Sequence, residues 1–272
     1  MTAEYGGDFC LKNVLVVSMF FAVLLLAGCR ERTPVLLPTP MQVDARLTEI
    51  VLTENAPPPA YSQISVERID SNLSALSGWR YSAQFIFEGI YSGTTREANT
   101  SSMLDVEFNQ VANARRVVAK IDTETQSSVY EAVRLGQDAF LVRDGVCLAN
   151  AGDDALLAAE LSAADLLGGV RIASNLPRRA VINGEQVWAY ALETDALALP
   201  GVRFREDSRI LNVSGELWFA PERNAVVRYY LNLELENVAL LDSDAPVTGT
   251  LLLRYDLYDI GVLPNLSVPF GC

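Results

Sequence analysis

From Trp79 onward the chain alternates. In Trp79-Arg80-Tyr81-Ser82-Ala83-Gln84-Phe85-Ile86-Phe87-Glu88, one face carries Trp79, Tyr81, Ala83, Phe85 and Phe87, while Arg80, Ser82, Gln84 and Glu88 occupy the other. A period of two with one apolar face predicts a half-buried strand. Similar runs span 102–109, 115–122, 127–135 and 139–144, and the Asp144-Gly145 turn signal leads into a short run over 146–149. The runs 179–182 and 186–193 flank Asn183-Gly184, a hairpin signal. Residues 196–204 form a less regular apolar connection containing Pro200-Gly201. Three long strands then cover 209–220, 225–237 and 247–260, the first two joined by Pro221-Glu222-Arg223-Asn224. Each keeps an apolar face: Leu217 and Phe219; Tyr229, Leu231, Leu233 and Leu235; Leu251, Leu253, Tyr255 and Leu257.

Two segments read as helices. Residues 62–77 put Ile64, Ile69, Leu73 and Leu76 near helical spacing and end at Gly78. Residues 153–167 begin with Asp153-Asp154, end at Gly168-Gly169, and carry Leu156, Leu157, Leu161, Leu166 and Leu167 as an apolar face. The expected class is α+β: one large antiparallel sheet, wet on its outer face, with the helices covering its inner, concave face. A sheet of ~10 strands is expected to curl rather than lie flat.

The N-terminus is a separate matter. Residues 14–26 are an uncharged apolar run, shorter than the ~20 residues of a membrane-spanning helix and of the length of a signal-peptide core. Leu26-Ala27-Gly28-Cys29 resembles the bacterial lipobox. That resemblance implies a signal peptide over 1–28, cleavage before Cys29 and diacylglycerol on its thiol, with stable attachment needing more than one acyl chain. Lys12 is the only basic residue before the apolar run, opposed by Glu4 and Asp8. Residues 29–60 hold six of the twelve prolines and read as a Pro-rich tether. Within it, 42–53 is a candidate short strand. The domain proper is expected over 61–272. The implied place is the bacterial cell membrane, lipid-anchored and facing the extracytoplasmic side.

Charge and composition mainly exclude. With 21 basic and 34 acidic residues the net charge is −13, which argues against non-specific nucleic-acid binding. There is no histidine, so no His-based triad, Cys–His dyad or His-ligated zinc site is available. Gly-x-Ser-x-Gly, Walker and Gly-x-Gly-x-x-Gly signatures are absent. The acidic pairs Asp153-Asp154 and Asp242-Ser243-Asp244 read as a helix start and a turn. No enzyme activity, cofactor or metal is expected. Of four cysteines, Cys10 leaves with the signal peptide and Cys29 takes lipid. Cys147 and Cys272 remain, either as two free thiols or, as an exported setting favours, as a disulfide.

The order helix, antiparallel strands, helix, antiparallel strands behind a lipobox resembles the LolA/LolB and LppX/LprG lipoprotein-carrier superfamily over roughly 60–270. The local likeness is strongest in Gly215-Glu216-Leu217-Trp218-Phe219-Ala220-Pro221 and Ala225-Val226-Val227-Arg228-Tyr229. The resemblance implies an open half-barrel closed by helices, with an apolar cavity for acyl chains. Alternation then nominates Phe85, Phe87, Val106, Phe108, Leu217, Phe219, Tyr229, Leu231 and Leu253 as its wall. The same aromatic stripe also reads as ordinary core packing, and the two readings are compatible. Two functions follow: a carrier of lipid or another lipophilic molecule, or a sensor or interaction module on the same scaffold. Which protein partner such a module would take is unknown.

Overall fold

The computed structural model describes residues 55–123, 127–241 and 243–272. The segments expected to be a signal peptide (1–28), a short strand (42–53) and most of a tether (29–60), with Cys29, lie outside the described residues. The domain is an open antiparallel sheet that reaches 14 strands and does not close. It starts with β1 (Gln63–Val66), then β2 (Gly78–Tyr91), β3 (Thr100–Asn109), β4 (Ala114–Thr123), β5 (Ser127–Leu135), β6 (Asp138–Arg143) and β7 (Val146–Cys147). Two short helices follow, α1 (Gly152–Ala159) and α2 (Ala163–Leu167). The chain continues with β8 (Gly169–Ile182), β9 (Glu185–Tyr190), β10 (Leu197–Ala198), β11 (Val202–Arg203), β12 (Arg209–Ala220), β13 (Ala225–Leu240) and β14 (Val247–Tyr258). The spatial order is β1-β8-β9-β12-β13-β14-β2-β3-β4-β5-β6-β7, with β10 on β8 and β11 on β13.

Alternation set most of this. β5 and β12 begin and end where the pattern places them. The Asn183-Gly184 turn closes a hairpin between β8 and β9, both residues at positive φ, as a two-residue turn matching strand twist requires. Along β2 the residues Trp79, Tyr81, Ala83, Phe85 and Phe87 are all buried on the concave side. The convex side carries cross-strand ion pairs such as Arg228–Asp256 at 2.8 Å and Arg116–Glu131 at 2.8 Å. It also carries a small second core in which Trp218 packs with Val187, Ala189, Ala220 and Val227, under Arg178 at 4.8 Å. Trp188 and Tyr190, one register position away, belong to the concave core instead.

The cover differs from expectation. Residues 62–77 are not an α-helix: they form β1 and, after Asn72 in the left-handed region, a 3-10 turn at Leu73–Ala75. Gln63-Ile64-Ser65-Val66 alternates exposed and buried, and its β-branched residues suit a strand better than a helix. The steps between Ile64, Ile69, Leu73 and Leu76 are five, four and three residues, so the apolar spacing never settles to a helical period. The second helix is also two. α1 ends at Ala159, and Ser162, extended at φ −122°, caps α2 by accepting from the Ala164 amide at 3.2 Å. Leu166 and Leu167 in α2 face the core as expected, but in α1 the face is reversed. Ala155 and Ala159 pack on Ala132 and Leu141, while Leu156, Leu157 and Leu161 are exposed. Small residues allow close approach of a short helix to the sheet, and the leucines then point outward.

Much of the concave face is therefore covered by strand. β8 runs between β1 and β10 at its start (Val66 and Leu197 both oppose Val170) and beyond Asn175 joins β9. The register breaks between Asn175 and Arg179, around Pro177, which lacks the amide a continuous ladder needs. The segment after β10 crosses from β8 to β13, and at Gly201 it lies so close to the Phe85 ring that an added Cβ would sit 3.0 Å from it. Ile64, Val66, Ile69, Leu73, Leu167, Val170 and Val202 share one core with the inner faces of β2, β12, β13 and β14. Cys147 and Cys272 form a disulfide with Cα atoms 5.3 Å apart, fixing the last residue beside β7.

Candidate functional site

The nine wall residues nominated by alternation lie on the same face. Phe85, Phe87, Val106, Leu217, Phe219, Tyr229, Leu231 and Leu253 are at most 2% exposed, and Phe108 packs half-buried against them. Register explains the grouping: Leu253 opposes Phe85 and Leu231, Leu217 opposes Tyr229, and Tyr81 opposes Val106. Side chains this little exposed border almost no open space, and of the eight only Phe87 reaches the edge of a cleft. The interior is packed in this conformation.

Open space begins at the two ends of the wall. At one end a cleft of about 400 Å³ opens beside Phe87. Tyr91, Ala98, Leu240, Leu241 and Val247 supply its apolar lining, with Arg96, Asn99 and Ser243 at its polar positions. Its size falls in the ~300–1,000 Å³ range of small-molecule sites. The β2–β3 connection and the β13–β14 connection form its walls, and Arg96 stacks 4.7 Å from the Tyr91 ring. At the other end a cleft of about 340 Å³ is lined by Trp79 and Phe108 together with Arg68, Asp70, Arg115 and Arg134. Alternation identifies a buried face but not where that face stops being covered. That is why neither cleft was legible from the pattern.

Inside the core, three polar atoms lack partners among the described residues: the hydroxyls of Tyr229 and Tyr255 and the indole Nε1 of Trp188. Tyr229 and Tyr255 oppose each other on β13 and β14. Burial pushes both phenols well above their ordinary range. Tyr81, whose ring lies 5.2 Å from that of Tyr255, is also raised, chiefly by burial, against the opposing pull of Arg115. Its hydroxyl is satisfied, donating to Asp70 and accepting from the Ala163 amide. Burial likewise lifts Tyr190 to about 12.

These shifts fix a pH dependence. A neutral phenol is favoured in the fold, so its contribution is intact below the unfolded value of about 10 and lost as pH climbs through the higher folded value. Urea midpoints are expected to hold between pH 7 and 9 as far as these groups are concerned, and to fall above about pH 10. Tyr229→Phe removes a hydroxyl that has no partner. It is expected to leave stability at pH 7 unchanged or raise it by about 1 kcal/mol, and to flatten the alkaline fall. A loss of more than about 1 kcal/mol at neutral pH would show that the hydroxyl is bonded after all.

Among the described residues no group of His, Cys, Asp or Glu side chains is arranged to hold a metal. No helix among them is long and apolar enough to cross a membrane.

No family model matches the chain, and no curated relative matches it in sequence. Solved structures with some likeness to this chain include these two. LprF from Mycobacterium bovis is 11% identical with a TM-score of 0.33, over 74% of this chain and 93% of that one. A LolA superfamily protein from Nitrosomonas europaea is 9% identical with a TM-score of 0.22, over 75% of this chain and 96% of that one. The fold stands on this chain's own strand order and register.

Proposed function

We propose that this chain is a non-catalytic lipoprotein of the bacterial envelope, anchored through Cys29 on the extracytoplasmic side, that binds a lipophilic molecule at the cleft beside Phe87. The observation that carries this is the apolar lining of that cleft and its contact, through Phe87, with the buried wall. Burying an acyl chain there gains about 0.8 kcal/mol per CH₂. The unpartnered hydroxyls of Tyr229 and Tyr255 support a deeper role for the wall, since an entering ester or carboxyl group would satisfy them. Deeper entry requires the cover to move, and the segment around Gly201 lies directly over Phe85.

Two variants test the proposal. Cys29→Ala is expected to leave the protein released from membranes or with its signal uncleaved; processing and fractionation like wild type would remove the anchoring claim. Ala245→Trp places a large ring at the half-buried rim of the cleft. It is expected to weaken uptake of a fluorescent fatty acid by about tenfold or more without lowering the melting temperature. Unchanged uptake would move the ligand elsewhere.

A second reading, an envelope sensor or protein-interaction module without a lipid ligand, is favoured by the packed state of the wall. Under that reading neither wild type nor Ala245→Trp takes up the probe.

A further inference from the structure

The other end of the wall carries an arrangement that packing does not explain. Trp79, Phe108, Arg115 and Arg134 form a single rung across β2, β3, β4 and β5, each opposite the next. All four line the cleft of about 340 Å³. Two arginines directly opposite each other on neighbouring strands repel. On the convex face the same strands do the reverse: Arg116 lies 3.5 Å from Glu107 and 2.8 Å from Glu131.

Of the three arginines lining the cleft, two have carboxylate partners. Arg134 meets Glu160 at 2.8 Å, and Arg68 meets Asp165 at 2.9 Å. Arg115 meets no carboxylate within ion-pair distance among the described residues. One of its terminal nitrogens donates to the Leu161 carbonyl at 2.6 Å, its guanidinium lies 5.8 Å from the Trp79 ring, and its Nε–H is buried without an acceptor. The two carboxylates lining the cleft are engaged elsewhere, Glu160 with Arg134 and Asp70 with the hydroxyls of Ser162 and Tyr81, so the half-buried Arg115 guanidinium has no carboxylate of its own and one unsatisfied donor. The aromatic rung fixes its position: Trp79 and Phe108 stack at 5.3 Å, and the indole Nε1 of Trp79 is tied to the Leu73 carbonyl at 3.0 Å.

We propose that this cleft binds an oxyanion, a phosphate or phosphate ester, with Arg115 as its principal ligand and Arg68 and Arg134 flanking it. A guanidinium offers a planar fork of N–H donors that matches two phosphate oxygens at once. Bound there, the anion gives Arg115 a counter-charge of its own and adds to Glu160 in offsetting the Arg115–Arg134 repulsion. Trp79 and Phe87 are eight residues apart on β2, about 26 Å along an extended strand. The oxyanion site is therefore separate from the apolar cleft, and the two stand or fall independently.

Calorimetric titration of the full chain tests this with three probes: inorganic phosphate, dioctanoylphosphatidylglycerol and the phosphate-free dioctanoylglycerol. Arg115→Gln is compared with Arg179→Gln, which makes the same charge change at an exposed position outside the cleft. Arg115→Gln is expected to weaken binding of the phosphate-bearing probes by about tenfold or more and to leave dioctanoylglycerol unchanged. Arg179→Gln is expected to leave all three unchanged. Saturable binding of inorganic phosphate identifies a free anion as sufficient; binding of the phosphatidylglycerol alone identifies a lipid headgroup. If Arg115→Gln does not fold, Arg115→Lys keeps the charge without the fork and is expected to bind more weakly than wild type. Wild type is also expected to melt at a higher temperature in phosphate than in chloride of equal ionic strength. No saturable binding of either phosphate probe, or equal losses in Arg115→Gln and Arg179→Gln, overturns the proposal.

Discussion

Removing the disulfide, by Cys147→Ser with Cys272→Ser or by reductant, is expected to destabilise the domain by roughly 2–5 kcal/mol. The bond joins residues 125 apart in sequence, and closing a loop of that length restricts the unfolded chain strongly. It also holds a tail that covers the end of the sheet. Asn109 donates to the Pro264 carbonyl at 2.9 Å, and the Gly261 amide donates to the Gly78 carbonyl at 2.8 Å. An added Cβ on Gly78 would lie 2.2 Å from the Val262 carbonyl oxygen, so the tail passes directly over the start of β2. Urea midpoints with and without reductant measure the effect. Identical midpoints, or two alkylatable thiols in freshly exported and unreduced protein, would show that the bond does not form in the cell.

Phe85→Ala is expected to cost about 3–5 kcal/mol, as truncation of a fully buried aromatic ring does when the surroundings relax only in part. Phe85 is 0% exposed, opposes Leu253 and Ser102 on its two neighbouring strands, and lies beneath Gly201. The same truncation hollows the interior next to the cover. The variant is therefore expected to lose stability yet bind a short apolar ligand better, and that ligand should restore part of the lost melting temperature. A variant that loses stability and is not rescued by any apolar probe would mean that the interior collapses rather than admits ligand. Trp at Leu231 works in the opposite sense, since overpacking a side chain that is 2% exposed costs roughly 1–3 kcal/mol.

The sheet was legible in the sequence because its signal is local. Each strand buries one face, so Leu217, Tyr229, Leu231 and Leu253 declare their side by alternation alone, and the register then brings them together. The cover was not legible, because its burial is set by what it packs against. β1 is four residues long, too short for its alternation to outweigh the near-helical spacing of Ile64, Ile69, Leu73 and Leu76. The first half of β8 is uneven in burial and interrupted at Pro177, so only 179–182 stood out. In α1 leucine outranked alanine as a core candidate, whereas close approach to Ala132 and Leu141 selected Ala155 and Ala159. The site was legible as a face and not as a space. Alternation places Phe87 inside without showing that cover ends beside it, and it places Arg115 on the apolar side without showing that Arg134 stands opposite.

Binding of a lipophilic molecule at the half-barrel is tested most directly by native mass spectrometry of the full chain, purified from its own cells in mild detergent. The predicted result is a discrete adduct beyond the mass of the polypeptide and of any acyl groups bonded to it, recoverable in an organic extract and depleted in Ala245→Trp. A single adduct-free mass for both proteins, with no lipid in either extract, would contradict it.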